Sequence, residues 1–527
     1  MLLEPRRWIR APAVSLRAAL VVAVVAAAAR VAILPFATAD GGDATARTWM
    51  AWDWMQDPRP ITHGVWGPLH TYLIAFAMAL NPDPVTAPVV LGIVLSVAAA
   101  VALYAFTAIE FESGRAAWIV ALTYAVYPIA IRNGVSVRSE TPFALLLLLS
   151  MIAVARARQN PGSWRAAAAG GLALTAAAML RYEGWILIPL LAALLWGKPK
   201  LLAVFVVCAA VHPVLWMIGN GLHYGDPLYS MKWASRWELV AMGRGALPRS
   251  RLVESALWYP FTLARGMTLP FAFASLAGAA LALGTRHRAR VWLLPLAGIT
   301  LLWVTAIARG SLVPKLNYTE TAGVLLFPFA ALAYRRAGVG RWTPAGVGAA
   351  AVALVGSGIV FSCAPCLARV GLAKLAGISP IPRIRNQEIA LQLPPILLES
   401  MGEGHRALIS DHYGWGTTQH VALLTRLRRS EIFLAPGAPN RQLDRDSLLA
   451  FVKRRPRGAL VTLSGSRFSM ALGIYSGAAR SATLGGTSLR LEPVRSLPWP
   501  AGAPAQLSVF RYTAAPALRD SLPTHPT

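Results

Sequence analysis

Residues 21–58 read VVAVVAAAARVAILPFATADGGDATARTWMAWDWMQDP. The first half is apolar; in the second, Asp40, Asp43, Asp53 and Asp57 follow at once, interleaved with Trp49, Trp52 and Trp54. An apolar run of about twenty residues matches the ~30 Å hydrocarbon core of a bilayer, so the junction near residue 37 marks a membrane rim. Arg6, Arg7, Arg10 and Arg17 stand before the run, which puts the amino terminus on the cytoplasmic side and the acidic stretch outside. Ala37, Thr38 and Ala39 have the small-residue pattern of a signal-peptide cleavage site. The run is longer than a usual signal core, which favours a retained helix, and under both readings the acidic stretch lies outside. Its tryptophans fit a loop lying at headgroup level, with Asp53 and Asp57 as solvated or capping residues.

The whole chain repeats this theme. Of its 527 residues 56% are hydrophobic and only 14% charged, which excludes an ordinary soluble protein and indicates a polytopic α-helical membrane protein. Spans are expected near 14–36, 85–108, 116–131, 141–155, 166–180, 184–197, 201–219, 261–284, 291–308, 320–334 and 343–361, about eleven transmembrane helices. Of the Lys and Arg residues behind the formal charge of +27, many of those between the apolar blocks fall in alternate breaks, at 156–165, 198–200, 285–290 and 335–342, which is the positive-inside pattern of a multi-pass protein of the cell membrane. Orientation and attraction to anionic membrane lipids account for it, and no nucleic acid is called for. GPLHTYLIAFAMAL, residues 67–80, is short for a span. Counting it as one would reverse every later loop, so it is read as interfacial or re-entrant.

Beyond Ile378 the apolar blocks stop. ALISD, EIFLA, GALVTLSG, SLRLEPV and AQLSVFRY read as strands, and TTQHVALLTRL and DRDSLLAFVKRR as helices. RNQEIALQLPPILLESM has a helical pattern that its two prolines are expected to interrupt. The expected division is a membrane domain over 1–375 that includes the first outer loop 37–84, an extracytoplasmic α/β domain over 376–515, and a disordered tail over 516–527. Neither a GxGxxG nor a Walker pattern occurs there, so no nucleotide cofactor is assigned. Cys363 and Cys366 fit either a local disulfide or a pair of small residues at a helix exit.

An ionisable group at membrane depth costs roughly 2.5–3.5 kcal/mol on insertion scales, so charges kept near span ends usually have a use. They gather at the outer ends: Asp40 and Asp43 after the first span, Glu140 after RNGVSVR, Arg181 and Glu183 in RYEGW, and Arg309, Lys315, Asn317 and Glu320 in RGSLVPKLNYTE. Mixed charge on one face suits transfer from a lipid-anchored phosphosugar. A carboxylate takes the proton of the incoming hydroxyl, and cations hold the phosphate that leaves. Each candidate has a plainer alternative. Asp43 and Glu140 fit first-turn acids that complement a helix dipole, and Arg30 and Arg181 fit side chains snorkelling from span ends. His70 fits a satisfied interfacial histidine or, with His63 or His223, a metal ligand, so a divalent metal stays open.

The order of these segments has a counterpart. GGDATAR running to GVWGPLHTYL, then SETPFALLLLL, then GGLALTAAAMLRYEGWILIPLLAALL resembles the GT-C superfamily of membrane glycosyltransferases. The likeness is to the bacterial relatives of protein O-mannosyltransferases and aminoarabinose transferases, over roughly residues 14–335. It implies an inverting transfer from a dolichyl- or polyprenyl-phosphate sugar to a lipid, glycan or protein acceptor outside. It also implies an Asp of the first outer loop as catalytic carboxylate or metal ligand, matched by Asp43 and less well by Asp40. Arg181 matches the family pattern as a donor-phosphate ligand, with Arg30, Arg309 and Lys315 as further cations. The Asp-Glu pair of protein O-mannosyltransferases is not present, which argues against protein as acceptor. A transporter or flippase of a lipid-linked saccharide would also carry charges near a membrane cavity, but such folds show paired repeats and midplane sites. No repeat links the halves here, and the charges cluster at one rim.

Overall fold

The computed structural model describes residues 14–34, 43–60, 65–160, 162–236, 269–309, 312, 316–338, 353, 387–402, 404–412, 417–435, 443–484, 487–499 and 505–514. The described helices are α1 (Leu16–Ile33), α2 (Asp43–Gln56), α3 (Leu69–Leu80), α4 (Thr86–Phe111), α5 (Gly114–Ala125), α6 (Pro128–Val135), α7 (Glu140–Gln159), α8 (Trp164–Ala178), α9 (Glu183–Ala193) and α10 (Pro199–Tyr224). They continue with α11 (Tyr229–Arg236), α12 (Leu269–Gly284), α13 (Leu293–Ala308), α14 (Thr319–Leu326), α15 (Ala330–Arg336), α16 (Gln387–Met401), α17 (Thr417–Leu424), α18 (Arg445–Arg454) and α19 (Arg467–Ala471). The chain divides into two compact units, Met1–Thr38 with Arg59–Pro382, and Ala39–Pro58 with Arg383–Thr527.

The first unit is the polytopic helical part. Among the described residues five helices are long and apolar enough to cross a bilayer: α1, α4, α7, α10 and the run Arg288–Ala308 that ends in α13. The span expected at 116–131 is not straight. It is broken into α5 and α6, bent by 55°. Pro128 is the cause, because it lacks an N–H to bond back into α5 and disfavours helical geometry in the residue before it. Tyr127 is accordingly extended, with φ −63° and ψ 120°, and Pro128 opens α6. The spans expected at 166–180 and 184–197 correspond to α8 and α9. That at 320–334 is divided among α14, a 3-10 turn Phe327–Phe329 and α15. Residues 261–268 and nearly all of 343–361 lie outside the described residues. Helix α3, with 12 residues, is ~18 Å long at 1.5 Å per residue, well short of the hydrocarbon core.

The core of this unit is aromatic and small-residue packing. Tyr104, Phe106, Phe111, Tyr124, Phe143, Trp292 and Phe327 are buried together. Gly171 lets α8 approach α10 closely, since a Cβ there would lie 2.5 Å from the Phe205 carbonyl oxygen. At the far end of α7 from Glu140, the buried Glu110 carboxylate is held by Arg158 at 3.1 Å and lies 3.9 Å from Arg288.

The second unit is a six-stranded sheet, β1 (Leu408–Ser410), β2 (Ile432–Leu434), β3 (Arg457–Leu463), β4 (Ser481–Leu484), β5 (Thr487–Pro498) and β6 (Gln506–Ala514), in the order β2-β1-β3-β6-β5-β4. β1 pairs parallel with β2 and β3, and the remaining pairings are antiparallel. Alternation along the strands divides the core by face. Leu408, Ala459, Val461 and Val509 pack with α16 and α17 on one side, while Ile409, Leu460 and Phe510 pack with α18 on the other. Helix α16 runs through Pro394 and Pro395 without the expected interruption. Ile389, Ala390, Leu393, Ile396, Leu397 and Met401 are buried along it, and this apolar stripe compensates the backbone bonds the prolines remove. β4 was not anticipated from the sequence; SATL carries its alternation over only four residues.

One boundary differs from expectation. Residues 39–58 fold with 383–527 and not with the membrane helices. Trp49 is buried in the core that includes Leu393, Leu397 and Val421, and its indole N–H donates to the Leu427 carbonyl at 2.9 Å. Asp53 accepts from the Arg429 backbone N–H at 2.9 Å, and Arg426 lies 5.7 Å from the Trp52 ring centroid. Trp49→Ala is therefore expected to destabilise the second unit by about 3–5 kcal/mol, the usual cost of emptying a buried indole site. Hydrogen exchange across residues 43–56 and the unfolding temperature report it.

Candidate active site

Three helix starts bring the site of the first unit together. Glu140 is the first residue of α7 and is buried, where a carboxylate faces the positive end of the helix dipole. Glu183 is the first residue of α9 and also buried. Between α8 and α9 lies the link Met179–Tyr182, which carries Arg181. That turn is tight because residue 184 is glycine: a Cβ there would stand 2.7 Å from the Ala178 Cα. The third contribution is the 3-10 turn Leu316–Tyr318, which leads into α14.

Arg181 is the hub. Its Nη1 donates to Glu140 Oε1 at 2.6 Å, its Nη2 to Glu183 Oε1 at 2.6 Å and its Nε to the same oxygen at 3.2 Å. The guanidinium lies 4.4 Å from the Tyr318 ring centroid, a cation–π contact. Asn317, buried, donates its amide N–H to Glu140 Oε1 as well. Burial opposes the charge on Arg181, but the carboxylates of Glu183 and Glu140 more than offset it and hold the guanidinium protonated above its ordinary range.

Behind this trio is a layer that the span-end reading only partly identified. Glu320, fully buried in the first turn of α14, accepts from the Tyr124 hydroxyl at 2.6 Å and from Asn133 Nδ2 at 2.7 Å. Asn133 also reaches the Asn317 carbonyl oxygen at 3.3 Å, and the Tyr127 and Thr319 hydroxyls are 3.0 Å apart. Asn133 and Tyr124 carry no charge at neutral pH, so a search for charged residues at span ends passes over them.

The remaining candidates lie on other elements. Arg30 is wholly buried on α1 and donates to Ser96 Oγ at 2.7 Å and to the Ala26 and Ala125 carbonyls at 2.9 and 2.8 Å. Its Nη2 is buried with no hydrogen-bond partner among the described residues. Arg309 is the exposed C-cap of α13. His70 is buried on α3. The GVWGPLH segment has a packing role, since a Cβ on Gly67 would overlap the Met179 carbonyl oxygen at the foot of the Arg181 link. Asp43 opens α2, which folds with the second unit. Asp40, His63 and Lys315 lie outside the described residues. Among the described residues no three His, Cys, Asp or Glu side chains are grouped to hold a metal ion.

Comparison with known proteins bears on this arrangement. The family model described as dolichyl-phosphate-mannose-protein mannosyltransferase matches residues 62–218, the stretch containing Glu140, Arg181 and Glu183. Comparison with curated proteins finds no match. The fold is similar to that of ArnT from Cupriavidus metallidurans bound to undecaprenyl phosphate, at 13% identity, TM-score 0.62, covering 94% of this chain and 96% of that one. The apo form of the same protein aligns at 15% identity and TM-score 0.59, over 93% and 97% of the two chains. The Archaeoglobus fulgidus oligosaccharyltransferase tethered to an acceptor peptide aligns at 11% and TM-score 0.50, over 84% and 69%. The resemblance to GT-C membrane glycosyltransferases read from the loop motifs is thus found again in a family model and in the fold.

Proposed function

We propose that this chain is a membrane glycosyltransferase of GT-C type that moves a sugar from a polyprenyl-phosphate donor to an acceptor on the extracytoplasmic face of the cell membrane. The observation that carries the reading is the buried Glu140–Arg181–Glu183 cluster, built from helix starts within a fold like that of ArnT, which has been solved with undecaprenyl phosphate bound. Arg181 uses three of its five N–H groups on the two carboxylates. The other two serve the departing phosphate, with Lys315, two residues before Asn317, and Arg309 as outlying cations. Glu140 orients Arg181. Asp43, or Asp40 beside it, takes the proton of the acceptor hydroxyl as its oxygen bonds to the sugar's anomeric carbon and the bond to the phosphate oxygen breaks. A single displacement inverts the anomeric centre and releases polyprenyl phosphate.

The test is reconstitution of the full chain in lipid nanodiscs with labelled undecaprenyl-phosphate sugars and lipid, glycan or protein acceptors. Label is expected on the acceptor, with free undecaprenyl phosphate released in equal amount. Passage of the intact lipid-linked sugar across vesicle membranes, with no cleavage, would establish a carrier instead.

A further inference from the structure

The geometry points to Glu320 as a positioning residue for this reaction: it clamps the bent α5–α6 pair to the start of α14 and so holds Asn317 against Glu140. The inference rests on the transferase reading above. Glu320 lies near enough to the Glu140 carboxylate to feel its charge, and hydrogen bonds link the two through Asn133 and Asn317. Its two oxygens are taken from two sides, Oε1 by Tyr124 before the bend and Oε2 by Asn133 after it. Asn133 then spans to the Asn317 carbonyl, and Asn317 turns its amide to the oxygen of Glu140 that also receives Arg181. The path from Glu320 to the guanidinium is a sequence of directed hydrogen bonds, one of them to the Asn317 backbone carbonyl, and Glu320, Asn133, Asn317 and Glu140 along it are all nine-tenths buried.

A buried carboxylate is an expensive way merely to pack helices, because apolar residues of similar volume do so at no desolvation cost. What it adds is two acceptor oxygens in one rigid plane, matched to donors on either side of a bend that Pro128 would otherwise leave as a joint. Asn133 Oδ1 is buried with no partner among the described residues, so Asn133 is turned to serve Glu320 and Asn317 at the expense of its own oxygen.

Glu320→Gln tests this with little change of shape. Its kcat is expected to fall roughly 10- to 100-fold, the scale of a misplacement near 1 Å, while the donor KM changes less than about threefold by comparison. Asn317→Ala should lose a similar amount, and the double variant no more than Asn317→Ala alone, because one acts through the other. Hydrogen exchange of the Leu316–Glu320 amides should rise in Glu320→Gln. Losses that multiply in the double variant, or raised exchange with unchanged kcat, would overturn the positioning role alone. Wild-type protein without transfer activity would instead overturn the functional reading on which it rests.

Discussion

Asparagine in place of Asp43 is expected to lower turnover by about 10²–10⁴-fold, the range general-base catalysis supplies, with donor affinity nearly unchanged. The substitution keeps the shape and polar capacity of the first residue of α2 and removes only its ability to take a proton at neutral pH. That makes it a clean discriminator. If Asp43 merely complements the dipole of α2, its loss costs no more than about 0.3–1 kcal/mol of stability and leaves turnover intact. Single-turnover transfer from a labelled undecaprenyl-phosphate sugar separates the two, since the chemical step slows under the first reading and not under the second. Full turnover in Asp43→Asn would defeat the base assignment, and the same measurement on Asp40→Asn would show whether the neighbouring carboxylate carries the step.

The polytopic helical class and the charged side chains that meet at Arg181 were legible in the sequence for one reason: charge at a span end is costly, so each retained group marks itself. The same signal marked Arg30, which is equally charged and donates to the carbonyls of Ala26 and Ala125. Hydropathy reports that a group is in the wrong solvent and says nothing of which partner relieves it. Tyr124 and Asn133 were invisible because neutral polar residues within apolar helices are common and inexpensive. The placement of α2 was hidden by a real degeneracy: Trp49 and Trp52 three apart along DATARTWMAWDWMQ make the same apolar edge for a headgroup layer and for a protein core, and only the distant Leu427 carbonyl decides between them. Local rules failed likewise at Pro394 and Pro395, where the stripe packed on the sheet overrides two helix breakers.

Arg181→Gln is expected to be the more damaging of the substitutions in the membrane unit, and in two separable ways. Removing the cation leaves Glu140 and Glu183 buried without their shared partner, and breaking a buried ion pair from one side typically costs about 3–5 kcal/mol, read as a fall in unfolding temperature. It also removes the donor proposed for the leaving phosphate, and loss of one preorganised electrostatic group costs roughly 10²–10³ in kcat. Adding Glu140→Gln to Arg181→Gln separates them. With one buried charge fewer to leave uncompensated, much of the lost stability should return. Turnover should stay at the level of Arg181→Gln, because no neutral side chain restores a positive charge to the phosphate. Arg181→Lys supplies that charge but only as a point on a flexible stem, so it cannot bridge Glu140 and Glu183 as the fork does. Its thermal stability should lie between the two while its turnover recovers only in part. Equal recovery of stability and turnover in the double variant would mean that Arg181 acts solely as a strut between the carboxylates, and the phosphate would then have to be met by the other cations.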